Sequence, residues 1–340
     1  MKTIIAIIGF ASCVFFVGSC KKDINVNPQA NEIKPDSAAG NALLTITGSG
    51  LQNVQSAVFD LGNVPVAFNP NFNTSSAILI RVPTSANVGS QHIVFTTTSG
   101  YQFSLPFTVL AIPSVTSAYP QLWQAGSTVT ISGNYLQSTS RVSIVGTADT
   151  ATIVSATSTQ LVITLPASSV KSAKLAVTNN AGTTITDFSL VNMDQQFKFF
   201  TDDYGPGIHD YSWSNSSISN DPNFAVASAA SLKEVFSKGG YQGMSFFSDN
   251  AFAASDYTSL NFYIKGGTEN NVLDVFADAV ISGSGKTVKV NVPANVWTYV
   301  TIPIVGNFDG VVCQRFDFQL EGNSVADQTL YADDVLLVKL

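Results

Sequence analysis

Charge is scarce in this 340-residue chain: Asp, Glu, Lys and Arg together make up 11% of it. The balance leans acidic, with 23 carboxylates against 16 cations, and no basic run breaks it. That argues against nucleic acid and anionic lipid as partners held by charge, because phosphate binding needs a clustered positive field. Histidine occurs only at His92 and His209, far apart in the chain. A Ser-His-Asp or Cys-His arrangement therefore has no support, and neither has a histidine-based metal centre. The cysteines are Cys13, Cys20 and Cys313, too few for a disulfide framework or a cysteine zinc site. Cys313 follows Val311 and Val312 and reads as a small core residue.

Long apolar runs are also rare. The one at the start, Ile4 to Val17 behind Lys2, is too short to span a bilayer, which takes about twenty residues, and suits the core of a signal peptide. It ends in Val17-Gly18-Ser19-Cys20, which resembles a bacterial lipobox. The resemblance implies cleavage of residues 1–19 and lipidation of Cys20, hence an outer-membrane lipid anchor; the alternative is an ordinary signal peptide with a chance cysteine. No later segment is apolar for long enough to cross a membrane, so the expectation is a tethered chain. Residues 20–39, polar and carrying Pro28 and Pro35, read as a flexible tether.

From residue 40 onward the chain is a series of short β-patterned runs cut by turns, and it repeats itself. "TITGSGL" at Thr45–Leu51 matches "TISGNYL" at Thr130–Leu136, and "AILIRVP" at Ala77–Pro83 matches "QLVITLP" at Gln160–Pro166. A third match ends at Val109 and Val191, and the offset between copies stays near 81 to 85 residues. Such steadiness predicts a duplicated domain, 40–111 and 112–192, each a small antiparallel sandwich. Both copies resemble the IPT/TIG domain, an immunoglobulin-like fold, most clearly in "YPQLWQAGSTVTISGNYL" and "SATSTQLVITLP" of the second. In that family the glycines permit positive φ at the turn. Trp123 either packs at the joint between domains or binds a ligand.

Residues 193–340 do not fit the repeat. Strands are predicted near 197–204, 241–247, 260–265, 272–279, 287–292, 298–304, 315–320 and 330–339. Between 228 and 238, Leu232, Val235 and Phe236 have the spacing of a short helix. Many strands without long helices predict a larger jelly-roll β-sandwich, making the whole chain all-β. "IHDYSW", "YTSLNFYIKGG", "NVWTYVTIPI" and "LYADDVLL" occur here in the order seen in jelly-roll carbohydrate-binding modules, which this domain resembles. With the lipobox and tandem repeats, the architecture is similar to the surface glycan-binding lipoproteins of Bacteroidetes. The resemblance implies a polysaccharide partner, an importer complex in the outer membrane nearby, and cell-surface exposure.

Alternation along a strand separates two faces. Leu260, Phe262 and Ile264 go one way, Asn261, Tyr263 and Lys265 the other; Phe276 alternates against Val275 and Ala277. Arg315, Asp317 and Gln319 alternate against Phe316, Phe318 and Leu320. A face of aromatic rings and planar polar groups suits a sugar, whose C–H faces stack on rings and whose hydroxyls pair with Arg, Asp, Asn and Gln. A solvated sheet face is the alternative. The loop 205–214, with His209, Asp210, Tyr211 and Trp213, is a second candidate surface. Many jelly-roll modules carry structural Ca²⁺ held by carboxylates near both termini, which by resemblance points to Asp202 and Asp334, strand capping being the alternative. No other cofactor is expected. Four glutamates (Glu32, Glu234, Glu269 and Glu321) without a Glu-x-Asp-x-x-Glu strand leave glycoside hydrolysis little support, though Asp274 with Asp278 stays open. The expected function is non-catalytic glycan binding for capture and uptake of a complex carbohydrate. A surface adhesion protein and a glycosidase are the alternatives.

Overall fold

The computed structural model describes residues 27–226, 228–279, 286–308, 310, 312–322 and 324–340. The signal-peptide and Cys20 readings lie outside the described residues. The chain forms two compact units, one ending at Val109 and the other spanning Leu110–Leu340.

In the first unit, strand Leu43–Ser49 sits between Gln29–Lys34 and Ala77–Arg81. A second sheet runs Ser37–Ala38, Gln102–Val109, Gly89–Thr97, Val54–Phe59, Val64–Pro65. Leu44, Ile46, Ile78 and Ile80 from one sheet meet Phe59, Ile93, Phe95 and Phe107 from the other in a single core. Two of these strands fall within residues 20–39, so that segment is not simply a tether. Ile33 and Ala38 are buried there because alternation sends them inward, a signal too short to stand out beside the prolines.

The second copy repeats this plan at the start of the second unit. Strand Thr128–Asn134 lies between Ser114–Tyr119 and Gln160–Thr164, so "TITGSGL" and "TISGNYL" are equivalent central strands. Their shared glycine serves close approach. A Cβ on Gly48 would stand 2.1 Å from the Gln29 carbonyl oxygen, and one on Gly133 would stand 1.9 Å from that of Ser114. The positive φ of the following turn belongs to Gly50 in the first copy and to Tyr135 in the second. Trp123 is buried in the core of its own repeat, which also holds Val129 and Leu161, and so is not an exposed ligand contact.

The C-terminal sandwich has two sheets. The back sheet runs Asn215–Ser219, Ser231–Phe236, Gln328–Lys339, Tyr257–Lys265, Trp297–Pro303, with Phe197–Phe200 also on Gln328–Lys339. The front sheet runs Ile208–Asp210, Gly243–Ala253, Val312–Leu320, Asn271–Ala279, Val288–Val292. Between them lie Phe199, Phe246, Phe262, Phe316 and Phe318, with edge-to-face pairs at 5.0 Å (Phe262–Phe318) and 5.7 Å (Phe246–Phe318). Cys313 is buried in the same core. Residues 231–236, ambiguous in sequence because of their helix-like spacing, form a strand. Leu232, Glu234 and Phe236 all point inward, and a buried carboxylate in the middle hides the alternation that marks a strand.

The back sheet is not open on its outer side. Tyr263, Leu336 and Val338 pack on Leu122 and Val191 of the second repeat, and on Met193 just after it, in a small core of their own. The Tyr263 hydroxyl accepts a hydrogen bond from the Gln121 N–H at 2.6 Å. This shared core makes the second repeat and the sandwich one unit.

Candidate functional site

The predicted binding residues fall on two different faces. Asn261 and Tyr263 belong to the back sheet and are 3% and 1% exposed. Asn261 donates to the Tyr299 hydroxyl and, at 3.2 Å, to Thr301 Oγ1. Tyr263 lies against Tyr119 and Tyr299, with ring centroids 5.9 and 4.9 Å away. Both point away from the sandwich core, as alternation requires, but Tyr263 enters the joint with the neighbouring repeat and Asn261 is covered by its own sheet. Neither can meet a ligand in solution.

The front sheet gathers the others. The residues 205–214 predicted as a loop include its edge strand, and the ladder continues past Asp210: Tyr211 N donates to Ser245 O and Trp213 N to Gly243 O. His209, Tyr211 and Trp213 therefore share the outer face with Phe247, Ser245 and Gly243. Cross-strand register then lays out rows. Gly243 lies opposite Gln319, and Gln319 opposite Asp274; Ser245 lies opposite Asp317, and Asp317 opposite Phe276; Phe247 lies opposite Arg315. The loop and the sheet face are one surface.

Aromatic rings dominate the edge of this face. Tyr211, 57% exposed, stacks on Phe247 with centroids 5.0 Å apart and planes 27° off parallel. The Trp213 indole lies directly over Gly243, where a Cβ would come within 2.4 Å of the ring. Its Nε1–H donates to the Tyr241 carbonyl at 2.9 Å, and Gln319 Nε2 donates to the same oxygen at 3.0 Å. Tyr241 itself is exposed beside them, its ring covering Gly322. Phe276 is half-buried further across the sheet. Tyr241 and Phe247 were not expected here. Tyr241 precedes its strand, and Phe247 sits in a run of apolar residues where both faces look alike.

The polar members divide by exposure. Arg315 Nε donates to Asp317 Oδ2 at 3.0 Å, and Asp317 is wholly buried although it lies on the outward side. Asp317 thus orients the half-exposed guanidinium and is not itself a surface contact. Lys289 bridges Asp274, at 3.1 Å, and Glu321, so that corner is an ordinary solvated ion pair. Beyond it, Val272 lies opposite Asn291 at the rim of a concavity of about 330 Å³ edged also by Asn270 and Pro293. Five strands span about 19 Å at the usual spacing. A separate concavity of about 460 Å³ on the first repeat, around Asp60, Ser90 and His92, presents no comparable aromatic surface.

Asp202 and Asp334 do come together. Both line a cavity of about 10 Å³, room for one water-sized sphere, with Ser228, Thr201 and, from the second repeat, Gln124 and Ser127. Asp202 Oδ1 accepts from the N–H groups of Ala229 and Ala230. Asp334 is 1% exposed with φ of 50°, and its Oδ1 accepts no hydrogen bond. Burial, then the neighbouring Asp333 and Asp202, push its carboxyl well above the usual range. Among the described residues no three His, Cys, Asp or Glu side chains converge to hold a metal, so neutral oxygens would have to complete any shell.

Residues 28–109 and 113–199 match the IPT/TIG domain family. This chain carries a tandem pair of IPT/TIG domains. Among solved structures it is similar to a surface glycan-binding protein of Prevotella bryantii at 16% identity, with a TM-score of 0.44, over 92% of this chain and 99% of that one. It is similar also to the corresponding protein of a xyloglucan utilisation locus in Bacteroides uniformis, at 14% identity and a TM-score of 0.44, over 92% of this chain and 99% of that one. A third likeness is to the corresponding protein of the Bacteroides ovatus mixed-linkage glucan locus, at 16% identity and a TM-score of 0.32, over 92% and 76%. No curated protein matches the sequence.

Proposed function

We propose that this IPT/TIG protein holds a polysaccharide on the outer face of its front sheet and leaves the chain uncut. The observation that carries the reading is the gathering of Tyr211, Trp213, Phe247 and Phe276 on one open face with Arg315 and Gln319 between them. Rings of Tyr211 and Trp213 offer flat surfaces to sugar C–H groups, while the oriented guanidinium and amide offer planar donors to hydroxyls. A glycan array identifies the ligand, and calorimetry with it tests the face. Tyr211→Ala, which removes an exposed ring, should weaken binding roughly threefold to a hundredfold, from about 0.5–3 kcal/mol. A reducing-sugar assay should stay flat. Parent-like affinity in both Tyr211→Ala and Trp213→Ala would refute the site. Release of reducing ends would favour a glycosidase, and binding to cell-surface protein alone an adhesin.

The lipobox-like Val17-Gly18-Ser19-Cys20 supports a lipid anchor at Cys20, and so anchored on the outer surface of the cell the protein would pass a captured glycan to an importer. The buried, unpartnered Asp334 Oδ1 favours a hard cation such as Ca²⁺ between Asp334 and Asp202, completed by neutral oxygens such as that of Ser228. Added CaCl₂ should then raise the Tm of the parent and not of Asp334→Asn. An equal response in both would remove the site.

A further inference from the structure

Behind the aromatic edge lies a carboxylate that glycan binding does not use. Glu234, 1% exposed, sits at the corner where the edge strand leaves the front sheet and joins the back one as Asn215–Ser219. Alternation sends Tyr211 and Trp213 outward, so Ser212 and Ser214 face inward, and both meet it. Ser212 Oγ donates to Glu234 Oε1 at 3.2 Å and accepts from the Ser245 N–H at 3.0 Å. Ser214 Oγ contacts Glu234 Oε2 and also stands 3.0 Å from the Gly243 carbonyl oxygen. That carbonyl is the one that receives the Trp213 N–H, and Gly243 is the residue on which the indole rests.

We propose that Glu234 is a positioning residue whose proton sets how firmly the Tyr211–Trp213 edge is pinned to the sheet. The reasoning is a count of protons. Ser214 has one hydroxyl proton and two acceptors within reach, Glu234 Oε2 and Gly243 O. With Glu234 protonated on Oε2, the carboxyl donates to Ser214 Oγ and Ser214 donates to Gly243 O, so each group has a partner. With Glu234 ionised, a buried charge draws the Ser214 proton to itself, and Gly243 O loses one of its two donors. Burial favours the neutral form and pushes Glu234 up to about 7, against the pull of the serine hydroxyls. The titratable groups bearing on it are Asp210, on the same edge, and the Tyr204 phenol, itself raised by burial. No cation is among these causes, so nothing there stabilises the ionised form beyond the hydroxyls.

This inference rests on the glycan reading only for its consequence: affinity should fall about three- to tenfold from pH 6 to pH 8 as the edge loosens. The pinning itself is read without ligand. In the full-length protein, the Trp213 indole N–H resonance, assigned by its loss in Trp213→Phe, should shift with pH about a midpoint near 7. Glu234→Gln, which keeps the size and stays uncharged, should abolish the midpoint with the fold intact by thermal melt. Ser214→Ala, which removes the switching hydroxyl, should flatten it as well. A midpoint that persists in Glu234→Gln would assign it to another group and overturn the proposal, as would a resonance insensitive to pH in the parent. If the resonance behaves as expected but no glycan binds, the positioning stands and the function on that face is wrong.

Discussion

Tyr263→Phe distinguishes the two outward faces of the sandwich most directly. The substitution removes one oxygen, the acceptor of the Gln121 N–H at 2.6 Å, and leaves the ring in place between Tyr119 and Tyr299. A buried backbone donor stripped of its partner costs about 1–3 kcal/mol. For a unit of roughly 150–250 residues each kcal/mol moves Tm by about 2–4 °C, so a loss near 2 kcal/mol predicts a fall of roughly 4–8 °C. Tyr263→Ala should cost more, about 3–5 kcal/mol, because it also opens a cavity in the joint core formed with Leu122, Val191 and Leu336. Glycan affinity measured by calorimetry well below the transition should match the parent in Tyr263→Phe. The two readouts must separate: a parent-like melt with tenfold weaker binding would mean that the back sheet holds the ligand and that the joint is not as described.

Three further outcomes follow from the same geometry. Gly243→Ala places a methyl within 2.4 Å of the Trp213 ring, so the indole must move and the Trp213–Tyr241 hydrogen bond break; affinity should drop about as far as in Trp213→Ala, measured side by side. Glu234, raised to about 7 from an unfolded value near 4.5, favours the folded state most below pH 4.5, and that contribution is lost as pH rises to 7. Denaturant melts of Glu234→Gln should therefore gain on the parent by about 2–3 kcal/mol between pH 5 and pH 8. A fragment beginning at Met193 would expose Tyr263, Leu336 and Val338, so it should melt lower and aggregate more than one beginning at Leu110, judged by light scattering.

The sequence by itself determined which side of the strands at 260–265 and 315–320 faces the sandwich core. In "LNFYIK" and "QRFDFQL" the strict period of two leaves no choice, because a slip by one residue would turn every apolar side chain to water. The duplication was legible for a similar reason: both copies need the same inward residues and the same glycine of close approach, and so keep the same words at a steady offset. Periodicity could not say which outward face stays open. That depends on Leu122 and Val191, far away in sequence, docking on the back sheet and converting Tyr263 from a candidate ligand contact into part of a core. Nor could it join the 205–214 segment to the strand carrying Arg315, since their neighbourhood passes through hydrogen bonds to Gly243–Ala253. Glu234 shows the remaining limit. A carboxylate at an inward position reads as a break in the strand pattern, and only the folded corner, with Ser212 and Ser214 turned toward it, supplies the partners that let it be buried.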